Sequence, residues 1–486
     1  MKKSYQLYFF SILALALPLM IANVYYSDDI SRSINGYTMW GIDGRPLSDI
    51  LMTLLNFNSH LSDTAPLPLL LAVTILALAL SLFFKNTLNA DKKYILLPIS
   101  FLISPFIIEP LSYRFDSLTI SASIFFAFAF ISVQTKNKIL SFLLKTAFIV
   151  SVFSFYQPSI NIVLTLISVE LFINMKFQKH ASYILKSLLV KLASLVVGSI
   201  VYMKIVLPLT HSGENASNHP GISDNIFDRT LSNASAYYQF FCENVILNHG
   251  EILVLGSLIA SIALSMVICI NYYRINKGRL DIIVSIIGII ATPLTFIASM
   301  VTLLFLENPL VTFARVYIGI NGLALFIFTL IFLTLKSTRL SSYILFIPVL
   351  YITSFSFSYG NALRMQNVTN MQVAEVIKQA LKETPDNSVQ ILFNGTAPKS
   401  PILINSEKNY PLLKTIVLNY FYNWFGAYTY MKLNGINQNY PDFSSKSIST
   451  YISDYCNSEV IYSSSNIKIY KNADNIMVDF KTNTCN

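Results

Sequence analysis

Two adjacent carboxylates, Asp28 and Asp29, follow directly on an apolar run from about Tyr8 to Tyr25, inside the stretch NVYYSDDISRS. A charged side chain is costly within a bilayer, so acids poised at the edge of an apolar run point to function. Neighbouring carboxylates repel one another, an arrangement that keeps one of them at work as a proton acceptor. The chemistry they suit is general-base catalysis on a substrate that lives in, or is tethered to, the membrane. A solvated helix end is the plainer reading of the same pair.

A second group is Glu109, Arg114 and Asp116 in IIEPLSYRFDSL, a short hairpin between two apolar runs. It reads either as a structural ion pair or as a phosphate cradle, because arginine offers a planar fork of donors. Arg32 and Arg45 are the further cations near the acid pair. Tyr156 and Gln157 stand where an apolar stretch breaks at Gln157-Pro158; they line the same cavity or mark a helix-breaking turn. There is no Walker loop, no GxGxxG after a strand, and no Cys/His cluster with metal spacing. The five histidines (His60, His180, His211, His219, His249) are scattered, so no metal site is expected.

The elements that must position these residues are membrane spans. With 54% hydrophobic and 12% charged residues over 486 positions, the chain has about half the charge of a soluble domain. Its start, MKKSYQLYFFSILALALPLM, is too long and lacks the cleavage site for a signal peptide, and reads as a first span that stays. Candidate spans lie near 7–25, 66–84, 94–109, 117–134, 146–156 with 159–175, 187–207, 251–271, 280–305, 316–335 and 341–358. The stretch from Lys145 to Met175 is two helices or a re-entrant pair, giving about eleven spans or nine plus a hairpin. The net charge of +9 sits between spans, as loop charges do, which argues against nucleic-acid binding.

Lysines crowd alternate loops, so the positive-inside rule puts the amino terminus in the cytoplasm and the Asp28-Asp29 loop outside. The predicted organisation is a bundle over 1–358 with outer loops at 25–65 and 208–250, and an external domain over 359–486. In the first loop Leu47, Ile50, Leu51, Leu54 and Leu55 have helical spacing, as in an amphipathic helix on the membrane surface or a lid over the bundle. The loop 208–250 is polar, rich in Asn and Ser, and reads as a loop that is mobile when no substrate is bound. The tail begins with a helical pattern at VAEVIKQALKE and continues with strand-like runs at VQILFNG, VIYSS, IKIYK and IMVDF, a small α/β domain. Cys456 and Cys485 share that tail, where oxidising conditions permit a disulfide. No cytoplasmic segment is long enough for a nucleotide-binding domain, so the energy of any reaction must come from the membrane or from outside.

The block YYSDDISRSINGYTMWGIDGRPLSD, with EPLSYRFDS and FSFYQPS, resembles the membrane glucosyltransferases that modify O-antigen in enteric bacteria, the serotype-converting Gtr type carried by temperate phages. The resemblance runs the whole length and departs at Pro110, where an Asn is expected. It implies a GT-C architecture with catalytic acids on the first outer loop, in the bacterial inner membrane. It further implies an undecaprenyl-phosphate-glucose donor and a lipid-linked O-antigen acceptor, and a functional link to a sugar-lipid flippase and a bactoprenol glucosyltransferase. Under that reading Asp28 or Asp29 is the base, and Arg114, Arg32 or Arg45 meets the phosphate charge. No cofactor is required, although a divalent metal is compatible with the chemistry. The rival readings are a flippase for a polyprenyl-linked sugar, a non-catalytic assembly partner, and a lipid-donor transferase for another sugar.

Overall fold

In a computed structural model, residues 2–212, 221–245, 250–381, 389–437, 441, 446–472, 475–482 and 485 are described; His219 and His249 lie outside them. The chain divides into two compact units. The first comprises 1–20, 37–357 and 410–412; the second comprises 21–36, 358–409 and 413–486.

From the amino end the helices are α1 (Lys2–Ala22), α2 (Asp28–Asn35), α3 (Pro46–Asn56), α4 (Leu67–Asn86), α5 (Ile108–Ser112), α6 (Asp116–Ser132), α7 (Lys138–Phe155), α8 (Ile160–Lys176) and α9 (Ala181–Val201). Further helices span Ile226–Asn244, Gly250–Asn276, Arg279–Ala298, Gly319–Thr334 and Thr338–Ala380. Among the described residues nine helices are long and apolar enough to cross a bilayer, and a bent pair over 92–112 brings the number to ten. Helices are the natural solution there, since each satisfies its own backbone groups where water is absent. The chain is a multi-pass, mostly helical membrane protein with a small carboxy-terminal sheet.

The break expected at Gln157-Pro158 is present, between α7 and α8. Residues 138–155 and 157–176 are both span-length helices, not a re-entrant pair. A second break falls at 92–112, where a span near 94–109 is expected; this segment folds as 3-10 turns and the short α5, with a 70° bend. Pro98 and Pro105 start two of those turns, where a missing backbone donor is harmless, and interrupt a regular helix. At 17 residues α6 is shorter than a full span, yet nearly every side chain in it is buried among α4, α7 and α8. By contrast α9 and Arg279–Ala298 turn many Leu, Ile and Val side chains outward, as lipid-facing helices do.

Charges inside the bundle are met locally. Lys191 Nζ lies 2.8 Å from a Glu170 carboxylate oxygen, linking α8 to α9, and Lys145 donates to the carbonyls of Phe130 and Val133. The 208–250 segment, expected as a polar loop, holds the helix Ile226–Asn244. Its buried residues are Asn233, Tyr237, Phe240 and Cys242. Asn233 Nδ2 donates to the carbonyls of Leu304 and Leu306, and the Tyr237 hydroxyl accepts from the Leu310 amide.

In the second unit the four strand-like runs form one sheet: β1 (Gln390–Asn394), β2 (Glu459–Ser463), β3 (Lys468–Asn472) and β4 (Asn475–Asp479). Its order is β1-β4-β3-β2, with β1 and β4 parallel and the other pairs antiparallel. Alternation along the strands gives two buried faces. Ile391, Phe393, Ile469, Ile476 and Val478 meet Val373, Ala374 and Ile377 of the long helix; Leu392, Tyr470 and Met477 meet Ile448, Tyr451 and Tyr455. The helical run VAEVIKQALKE continues the 43-residue helix Thr338–Ala380. At 1.5 Å per residue that helix is about 65 Å long, twice a hydrocarbon core of about 30 Å, so much of it stands outside one.

Cys456 and Cys485 form a disulfide, whereas Cys242 and Cys269 are free and buried. The bridge closes a separation of 29 residues, for which chain entropy gives a contribution of about 3–4 kcal/mol. Replacing both cysteines by serine is expected to lower the stability of the second unit by that amount in denaturant titration of the full chain in detergent. An unchanged midpoint would remove the bridge from the account.

Candidate active site

The segment after residue 36 is shaped by its own polar groups. The amides of Asp43 and Arg45 donate to the Trp40 carbonyl, and the Gly44 amide to that of Gly41. Asp49, in the first turn of α3, folds back so that its carboxylate accepts from the Trp40 amide at 2.9 Å and the Gly41 amide at 2.6 Å. Pro46 opens α3 with the φ a helix needs and no donor to waste. Gly44 has φ +77°, and a Cβ there would fall 2.6 Å from Leu207 Cδ1 and 2.7 Å from the Tyr202 hydroxyl, so only glycine fits.

This turn is seated on the ends of the spans. Gln157 Nε2 donates to the Asp43 carbonyl at 2.8 Å and to the Tyr202 hydroxyl at 3.1 Å, and Tyr202 in turn donates to the Gly44 carbonyl at 2.9 Å. Ser48 donates to the Phe155 carbonyl, and His211 Nδ1 lies 2.7 Å from the Ile42 carbonyl. The apolar side of α3 packs Met52, with Leu51 and Leu55, against Trp40, Leu61, Phe115 and Leu118. Ile50 and Leu54 point outward.

At the start of α6 the Asp116 carboxylate, 3% exposed, collects two donors on one oxygen: the Trp40 indole at 2.8 Å and Arg45 Nη1 at 3.3 Å. Arg45 Nη2 also meets Asp43 at 3.0 Å. Arg114 pairs with Asp63 at 2.7 Å. Asp116 and Arg114 of the hairpin thus engage groups from the 37–65 segment. The buried Tyr156 hydroxyl donates to the Arg315 carbonyl, and its electrostatic neighbours are Arg315, Arg45, Glu109 and Asp116. The Arg315 guanidinium lies 4.9 Å over the Tyr113 ring. Glu109 is buried in α5, beside Pro110. Arg45, Glu109, Asp116, Tyr156 and Gln157 are therefore gathered in the first unit, with Arg114 on the hairpin that carries Asp116.

Asp28, Asp29 and Arg32 belong to the second unit. The helix α2 that carries them begins after Ser27, which sits at φ 50°, and ends at Gly36 in the left-handed conformation. Asp29 is fully buried; its carboxylate accepts from the Tyr26 amide at 3.3 Å, while Asp28 is partly exposed and receives the Ser27 hydroxyl. Arg32, one turn along, is also buried. Tyr420 fastens the turn: its hydroxyl accepts from the Ser27 amide at 3.0 Å and donates to the Tyr25 carbonyl at 3.2 Å. Burial holds that phenol protonated far above its usual range, with the Asp29 charge adding to the effect, so it remains a donor. Ile30 enters the core of the sheet domain, and the Tyr26 hydroxyl donates to the Ile416 carbonyl.

Trp40, Asp43, Asp49, Asp63 and Arg315 were not among the expected site residues. Three of them lie in the block WGIDGRPLSD, where their polarity beside the acid pair was the available signal; Asp63 gave none. Among the described residues no group of three or more His, Cys, Asp or Glu converges as a metal site would need. Trp40→Phe removes the indole donor to buried Asp116 and is expected to cost about 1–3 kcal/mol. Thermal unfolding in detergent would show it; an unshifted transition would contradict the role given to this hydrogen bond.

The chain is similar to a Salmonella phage P22 protein described only as an uncharacterized 55.3 kDa protein in the gtrB 5′ region, 28% identical over 443 residues, covering 87% of this chain and 88% of that one. No solved structure matches. Residues 17–328 match the family model described as glucosyl transferase GtrII, a match that takes in α2, the α3 turn, the Glu109–Asp116 hairpin and Arg315. The chain belongs to the glucosyl transferase GtrII family.

Proposed function

We propose that this glucosyltransferase moves glucose from undecaprenyl-phosphate-glucose to a sugar of the lipid-linked O-antigen repeat, on the periplasmic face of the bacterial inner membrane. The observation that carries the reading is Asp29: a fully buried carboxylate on a short helix immediately after the first apolar span, held beside Asp28 and one turn before Arg32. A structural surface acid has no need of such burial, and the family activity calls for a base. The charge asymmetry of the loops supports a cytoplasmic amino terminus and a periplasmic carboxy-terminal domain.

In the proposed reaction the acceptor hydroxyl attacks the anomeric carbon of glucose as the bond from that carbon to the phosphate oxygen breaks. The proton passes to Asp28 or Asp29, and undecaprenyl phosphate leaves with its charge. A positioned carboxylate acting as general base contributes roughly 10²–10⁴-fold. We assign to Arg32, on the same helix, the charge growing on the phosphate. Single displacement inverts the anomeric centre. Arginine can meet the phosphate charge alone, so a divalent metal is compatible with the reaction but not required by it.

Ionisable residues inside spans also mark transport pathways, and Lys145, Glu170 and Lys191 are such residues. Their engagement with one another and with backbone carbonyls favours a structural role instead. Asp28→Asn and Asp29→Asn, tested singly after checking membrane insertion, are expected to lower glucose transfer to lipid-linked O-antigen by about 10²–10⁴ for the base and less for its neighbour. Full activity in both variants would refute the assignment.

A further inference from the structure

A ladder of aromatic rings runs through the second unit. Tyr430 stacks on Tyr420 at 4.5 Å and 10°, Tyr420 on Trp424 at 6.1 Å and 13°, and Trp424 on Tyr422 at 5.2 Å and 9°. The four rings are near-parallel and in series. At the inner end Tyr430 and Tyr420 are buried; at the outer end Tyr422 is 40% exposed and Phe425, set against Trp424 at 5.1 Å and 65°, is 54% exposed. The inner end is fastened to the acid helix, because Tyr420 bridges the Ser27 amide and the Tyr25 carbonyl and has Asp29 among its electrostatic neighbours.

The outer rings are held on a fixed frame. The Trp424 indole donates to the Tyr420 carbonyl at 2.8 Å, and its ring lies so close over Gly426 that a Cβ there would fall 2.3 Å away. Beside it, the Asn423 side chain clasps both the amide and the carbonyl of Phe393 on β1, at 2.9 and 2.7 Å. Such an arrangement leaves flat, apolar surface exposed with its ordering cost already met, which is what a binding platform requires. A pyranose has a polar rim and an apolar C–H face, and that face matches a fixed aromatic ring.

We propose that Tyr422, Trp424 and Phe425 form a platform that binds the neutral sugars of the acceptor glycan and directs the chain toward the Asp28-Asp29 helix. This rests on the reading of that helix as the site of transfer. Two observations select a glycan as occupant: the family transfers glucose, and the platform is continuous with the helix through Tyr420.

The test uses the full chain in nanodiscs and a panel of delipidated O-antigen polysaccharides from enteric bacteria, with binding read by calorimetry. Tyr422→Ala and Phe425→Ala are expected to weaken the best binder about tenfold each (about 1.4 kcal/mol), with unfolding transitions unchanged, and Tyr422→Trp is expected to restore binding. Wild-type affinity in the double Ala variant would overturn the platform. So would carbene labelling of Tyr422 and Phe425 from lipid tails that polysaccharide does not diminish, since the rings would then face the bilayer. The Asp28→Asn and Asp29→Asn variants separate the two readings: at least one should lose transfer by about 10²–10⁴ while both keep polysaccharide affinity. If the wild type binds through these rings yet transfers no glucose, the platform stands and the transfer reading falls.

Discussion

A carboxylate taken out of water costs several kcal/mol unless its charge is met, and Asp116 imposes that condition at the amino end of α6. Because α6 is packed on nearly all sides, the acid cannot move toward solvent; the surrounding chain must come to it. Trp40 and Arg45 do so, and the consequences spread outward from them. Arg45 draws in Asp43, the Asp43 carbonyl takes Gln157, and Gln157 meets Tyr202, which holds Gly44. The turn that launches α3 therefore has little freedom once Asp116 is buried. Glu170 and Lys191 answer the same constraint deeper in the bundle by pairing with each other.

The second unit meets a comparable demand differently. The Asp29 carboxylate accepts from a backbone donor of its own turn, the Tyr26 amide, and that turn is closed by Tyr420, 393 residues away from Ser27 in sequence. The segment carrying the acid pair folds as part of the sheet domain, so the geometry of Asp28 and Asp29 depends on residues near the carboxy terminus. This gives the tail a structural reason to be part of a glucosyltransferase chain.

Much of this was legible because it rests on local pattern. Apolar runs marked the spans, and the alternating runs VQILFNG, VIYSS, IKIYK and IMVDF are the four strands of one sheet. GRPLSD, with leucines at helical spacing, is α3. The helix Ile226–Asn244 was missed because part of its buried face is the polar Asn233, bound to two carbonyls, which a hydropathy pattern counts as loop. The break at 92–112 was missed because an apolar run with prolines has the composition of a span but not its backbone. Asp49 and Asp63 act through bonds to a turn and to a distant arginine, and pairing between segments leaves no trace in spacing. The disulfide had candidate cysteines in the sequence, but their separation in space came only from the fold.

The central claim is that the membrane-embedded chain itself transfers glucose from a lipid-phosphate donor to a lipid-linked glycan. The most direct measurement reconstitutes the purified full-length protein in liposomes with radiolabelled undecaprenyl-phosphate-glucose and lipid-linked O-antigen, and follows the label by chromatography and linkage analysis. The account predicts label in the glycan, joined with inversion of the donor's anomeric configuration, and release of undecaprenyl phosphate. Movement of intact labelled donor between leaflets with no label in the glycan would contradict it.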